Sequence, residues 1–261
     1  MGGARELAGR VSIVTGASAG IGEATARLLA AAGMRVAVCA RRRERLDLLS
    51  ADLAASGREV AVYALDVTDA VAVRAMVDDV AARWGGIDLL VNNAGRGLSA
   101  TFEDTKPEEF RELLDLNVMA VFTTTQAVLP WMRRRGRGHV VNVSSIVGRR
   151  GVPYRSAYSA TKFALGGLSE ALRVELTGTG IHVSLVYPIG TATEFHEVES
   201  RRAGPGPHGP IQSSAHVARC ILRCVRRPRA EVYPYSPSWL FAVASVIAPR
   251  LVDVGMRRLF R

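Results

Sequence analysis

The stretch VSIVTGASAGIG, residues 11–22, joins an apolar run to a glycine-rich turn and the start of a helix. Val11 to Thr15 suit a strand buried on both faces. Gly16, Gly20 and Gly22 follow in the spacing G-x-x-x-G-x-G, with Ser18 and Ile21 between them. Strand, tight turn and helix in that order bring the N–H groups of a helix N-terminus close to a phosphate. Three glycines alone say little; the strand before them and the helix after them give them meaning.

The same alternation continues along the chain. MRVAVCA (34–40), EVAVYAL (59–65), IDLLVN (87–92), GHVVNVS (138–144) and IHVSLVY (181–187) are short runs rich in Val and Ile. Helical segments near 21–32, 43–56, 69–84, 107–135 and 155–178 lie between them. Strands apolar on both faces and separated by helices predict an α/β fold: one doubly wound parallel sheet with helices on both faces. No linker divides the chain, so residues 1–261 are expected to form one domain. Within it, 7–192 would be the cofactor-binding and catalytic core, 193–230 a substrate loop and lid, and 231–261 an apolar helical extension.

With 261 residues the chain has length for one sizeable core, and its net charge of +10 makes the surface electropositive. The arginine runs at 41–43, 133–135, 149–150, 201–202 and 226–229 are scattered rather than gathered in a stripe, so nucleic acid is not the expected partner. Three cysteines are too few for a disulfide framework, and the five histidines show no metal-ligand spacing; no metal is expected. MGGARELAGR has no apolar core, so no signal peptide is expected and the expected compartment is the cytoplasm.

The second strand ends at Cys39-Ala40 and runs into Arg41-Arg42-Arg43. A dinucleotide without a 2′-phosphate is usually met there by a carboxylate, which would repel that phosphate. A guanidinium grips one in two places, and Ser18 adds a hydroxyl. Arg41 therefore predicts NADP.

Lysine stands only at Lys106 and Lys162; every other cation is arginine. In YSATK (158–162), Tyr158 and Lys162 fall at i, i+4 on one helix face. A tyrosine titrates near 10, and a fixed cation beside it favours the phenolate and brings it toward working range. A compact ammonium also reaches a ribose hydroxyl that arginine's fork would meet differently. Ser145, just past strand 138–144, and NNAG (92–95) end strands on the edge where parallel sheets bind ligands, while Asn117 sits in mid-helix.

In this order TGASAGIG, Asp66-Val67, NNAG, Asn117, Ser145 and YSATK resemble the short-chain dehydrogenase/reductase family, over roughly residues 9–195. The resemblance implies a Rossmann-like domain of the NADP-preferring branch. Tyr158 would be the proton donor and acceptor, Lys162 its helper and a ribose contact. Ser145 would hold the substrate oxygen, and Asn117 would position a water in a proton relay. Asp66 and Val67 would flank the adenine, and Asn93, Ala94 and Gly95 would support the cofactor. The family's Pro-Gly after the sixth strand is replaced by Pro188-Ile189, with Gly190 one place later. Thr193, or Thr191 in its stead, would meet the nicotinamide carboxamide.

The expected activity is NADPH-dependent carbonyl reduction or alcohol oxidation on an apolar small molecule, by a homodimer or homotetramer. The rival is a non-catalytic NADP-binding module docked on membrane or nucleic acid, against which the intact Ser145–Tyr158–Lys162 set argues. The tail, WLFAVASVIAPRLVDVGMRRLF (239–260), is apolar up to Pro249, about half the length that crosses a bilayer. It is expected to close the substrate pocket or pack on a second subunit. The competing role is a peripheral membrane contact aided by Arg250, Arg257 and Arg258.

Overall fold

Strands carrying Val and Ile on both faces must be covered twice, and the computed structural model, which describes residues 4–194, 200–204 and 209–260, covers them so. The main sheet holds β1 (Val11–Thr15), β2 (Arg35–Ala40), β3 (Val60–Ala64), β4 (Leu89–Asn92), β5 (Gly138–Val143), β6 (Ile181–Val186) and β7 (Glu231–Val232). Their order is β3-β2-β1-β4-β5-β6-β7, and every pairing is parallel. Ser12 faces both Val36 and Leu89, so the order reverses at β1 and opens a crevice beyond the carboxyl ends of β1 and β4.

Alternate residues of each strand feed two cores. Val14, Val36, Val38 and Val91 pack under α1 (Gly20–Ala31) and α2 (Arg43–Ala55). On the other face Val11, Ile13, Ala37 and Leu90 meet α3 (Ala70–Trp84) and the long helical stretch that follows. α3 starts where Asp69 Oδ1 accepts from Val71 N and Ala72 N at 2.9 and 3.0 Å. Expected as one helix over 107–135, that stretch has a seam: α4 (Pro107–Leu114) and α5 (Ala120–Arg134) are joined by a π turn, Asp115–Met119. There Ala120 N donates to Asp115 O, five residues back.

α6 (Ser156–Glu175) precedes β6, and α7 (Ser214–Arg226) packs against α1. The loop expected over 194–214 lies partly outside the described residues. Its described parts pair Gln212–Ser213 with Thr191–Ala192, and Ser200–Arg201 with Leu98–Ser99. The tail forms two helices, α8 (Pro237–Ile247) and α9 (Pro249–Leu259), broken at Ala248 before the helix-starting Pro249.

Candidate active site

The glycine turn fits the end of β4 with no room to spare. Gly16 has φ 64°, and a Cβ there would stand 2.8 Å from Ala94 Cα; at Gly22 it would stand 2.3 Å from Gly16 O and 2.5 Å from Asn93 Nδ2. Asn93 laces the two loops, its Nδ2 donating to Thr15 O (3.0 Å) and Gly16 O (3.2 Å) and its N–H to Thr15 Oγ1 (3.0 Å). Ala19, in the N-cap position of α1, puts no side chain on the first-turn N–H groups. That leaves the helix N-terminus to an anionic ligand, so this turn fits a dinucleotide pyrophosphate.

At the carboxyl end of β2 the three arginines part company. Arg41, its side chain 71% exposed, lies with Nη1 3.6 Å from Asp66 Oδ2. Arg43 bonds Asp47 along α2. Arg42 turns to the glycine loop: Nε and Nη2 donate to Ser18 Oγ at 3.2 and 3.0 Å, and Nη1 to Glu194 Oε2 at 2.7 Å. Arg45 Nη2 is 3.4 Å from the other oxygen of Glu194. The Arg42 hydrogen bond holds the Glu194 carboxyl below the usual range. Sequence reasoning chose Arg41 and missed Arg42 and Glu194, because three successive arginines carry no sign of which one faces the loop.

The other end of the crevice is built on α6. Tyr158 and Lys162 are both buried, one turn apart, with Lys162 Nζ 5.8 Å from the centre of the tyrosine ring. Nζ donates to Val143 O at 3.1 Å, which ties it to the end of β5. Burial lowers its pKa to about 8. Asn117, fully buried in the π turn, receives from Arg96 N on Oδ1 and donates to Arg96 O and Thr161 Oγ1, all at 3.0–3.1 Å. Thr161 Oγ1 in turn donates to Tyr158 O at 2.8 Å. Sequence reasoning missed Thr161, whose place one turn on from Tyr158 in YSATK was the available signal. Ser145 Oγ accepts from Val147 N at 3.4 Å at the head of a single 3₁₀ turn.

One cleft of about 680 Å³ joins these ends. Of the residues expected from sequence, Gly16, Ser18, Gly20, Ile21, Arg41, Asp66, Val67, Asn93, Ala94, Gly95, Ser145, Tyr158, Lys162, Pro188, Thr191 and Thr193 line it. Gly22 and Asn117 stand behind its wall. Beyond Pro188, whose carbonyl accepts from Ile146 N at 2.9 Å, Thr191 Oγ1 donates to Ile189 O, so the chain continues along the cleft despite the Pro-Ile spelling. The far end is mainly apolar, walled by Val147, Val152, Phe241, Met256, Leu259 and Phe260, with Ser238 and Tyr235 also in the lining.

A family model described as short chain dehydrogenase matches residues 10–203. The chain belongs to the short-chain dehydrogenase family. An uncharacterized oxidoreductase of Myxococcus xanthus is 36% identical over 255 residues, 97% of this chain and 99% of that protein. A metagenomic short-chain oxidoreductase solved with NADP superposes with a TM-score of 0.76 at 32% identity, covering 88% of this chain and 98% of the other. A short-chain dehydrogenase/reductase from Burkholderia phymatum, solved with NAD, reaches 0.85 at 23% identity over 97% and 96% of the two chains and speaks for the fold alone. The chain is thus an oxidoreductase of the short-chain dehydrogenase type, a family that binds NAD(P), and its Rossmann-like sheet is the one its neighbours share.

Proposed function

We propose that the chain is an NADPH-dependent reductase of apolar ketones or aldehydes, oxidising the corresponding alcohols in reverse. One observation carries this reading: a single cleft runs from Ser18, Arg41 and Arg42, past the buried Tyr158–Lys162 pair, to a mainly apolar end. A 2′-phosphate fits the basic end, where Ser18 Oγ and the Arg42 fork already converge. An apolar carbonyl compound fits the other.

When bound, NADPH supplies the hydride. Tyr158 donates a proton to the substrate oxygen as the carbonyl carbon is reduced. The ammonium of Lys162 favours the phenolate left behind, and in reverse the same phenolate takes the proton back. Ser145 Oγ steadies the oxygen while charge develops on it. Asn117, whose side chain binds Arg96 and Thr161, braces the turn that carries Tyr158; of the roles open to it, this is the one its bonds support.

The test is a titration of NADPH and NADH into the wild type, Arg41→Ala and Arg42→Ala, followed by turnover on aliphatic and aromatic ketones. NADPH should bind at least about tenfold more tightly than NADH, with Arg42→Ala removing more of that margin than Arg41→Ala. Tyr158→Phe should keep cofactor binding and lose on the order of 10² in rate. Equal affinities in the wild type overturn the cofactor assignment; binding without turnover on any ketone favours the non-catalytic module.

A further inference from the structure

α8 is built inside out. Its buried positions are Ser238, Ala242 and Ser245, spaced i, i+4 and i+7, so small side chains face the protein there, with Phe241 alone of its large residues turned to the cleft. The two hydroxyls donate to the helix's own side of the chain, to Tyr235 O and Phe241 O. Trp239 and Leu240 face outward, as do Val246 and Ile247 at 80% and 77% exposure. On α9, Leu251 and Val254 continue the exposed apolar surface. A helix on a water-facing surface shows the opposite pattern, apolar in and polar out.

Charge says what such a face fits. Arg250, Arg257 and Arg258 are exposed around it. Asp253, the one acid between 237 and 260, is held in an ion pair by Arg150. The face is therefore apolar with a cationic border, on a chain of net charge +10. A second copy docked by two-fold symmetry would bring that border close to its own image, like charge against like. An anionic bilayer surface offers the complement: acyl chains for Trp239, Leu240, Val246 and Ile247, and headgroups for the arginines. At eleven residues each, the two helices are too short to cross. We propose that the outer face of α8 and α9 lies on an anionic lipid surface, with the cleft behind it.

Full-length protein is sedimented with vesicles of phosphatidylcholine alone and of phosphatidylcholine mixed with phosphatidylserine. The wild type should pellet with the mixed vesicles, at least tenfold more weakly with phosphatidylcholine alone, and less as salt rises. Val246→Ser/Ile247→Ser should weaken binding to mixed vesicles about tenfold or more. Arg250→Glu/Arg257→Glu/Arg258→Glu should weaken it roughly a hundredfold, given about fivefold per arginine near such a surface. None of these side chains lines the cleft, so NADPH affinity should be unchanged in each and reports an intact fold. Wild type that stays in the supernatant with both vesicles overturns the proposal. So does a wild type that pellets equally well with both. A wild-type dimer in analytical ultracentrifugation that Val246→Ser/Ile247→Ser converts to monomer, with no vesicle binding, would assign the face to a second subunit instead.

Discussion

Lys162 Nζ has Val143 O as its hydrogen-bond acceptor and is buried, so its ammonium is held out of water at the floor of the cleft. Its pKa of about 8 lies below the 10.5 of an exposed lysine. Between those values the unfolded chain binds the proton and the folded chain does not, so stability should rise with pH across that window. Below pH 8 the full penalty applies, on the order of 3 kcal/mol. Lys162→Met should therefore be more stable than wild type at pH 7 and lose most of that advantage by pH 10.5, as read by urea unfolding at both. A margin that does not move with pH would mean the ammonium is solvated. Glu194 raises a different question, since its carboxylate occupies the arginines a 2′-phosphate would need. Glu194→Gln should tighten NADPH by roughly threefold and leave NADH alone. If both cofactors respond alike, the carboxylate does not compete. The residue types at this end were legible in the run Arg41-Arg42-Arg43, but which guanidinium faces Ser18 depends on the extended backbone at Arg42, which no pattern of charges encodes.

At the scale of elements, the strands were legible because apolar side chains occupy both faces of most of them, and the helices because they fill the intervals. The π turn at Asp115–Met119 was not. One extra residue in a turn leaves the apolar pattern on either side readable as helix, and from its residue type Asn117 stood out only as a poor helix former in mid-helix. Two substitutions separate the glycine turn's function from helix stability. Gly22→Ala puts a methyl against Gly16 O and Asn93 Nδ2, so the turn must shift. Cofactor affinity should fall at least about tenfold, a loss above 1.4 kcal/mol. Asp69→Ala removes the N-cap of α3, far from the turn in sequence, and should cost about 1 kcal/mol of stability with cofactor affinity intact. Calorimetric unfolding beside NADPH titration distinguishes them; matching losses in both variants would show that the turn has no special fit.

For the molecule as a whole, the tail shows where sequence reading runs out. Residues 239–248 are apolar or small throughout, so no period marks an inner face. Closing the pocket or packing on a second subunit was the favoured expectation; Phe241 and Met256 line the cleft, while Trp239, Leu240 and Val246 face outward. Among the tail's small residues, Ala242 and Ser245 are buried and Ala244 is exposed. Among the described residues, the tail is fastened to the core by Arg150 to Asp253 and to Pro249 O, and by Phe260 against the ring of Tyr154, besides the packing of its buried face. Arg150→Ala should speed hydrogen exchange across 249–259 and raise KM for a ketone several-fold with NADPH affinity unchanged. Unaltered exchange would mean that packing alone holds α9. The sheet order has a cost of another kind, paid during synthesis. Val11 N finds its acceptor, Asp88, 77 residues downstream. At 5–20 residues per second a ribosome needs roughly 4–15 s to make that interval. Through that time β1 has no neighbour on its β4 side, and a Val-rich edge is open to other nascent chains. Yield in a foreign host should therefore depend on chaperone capacity more than on the stability of the finished fold.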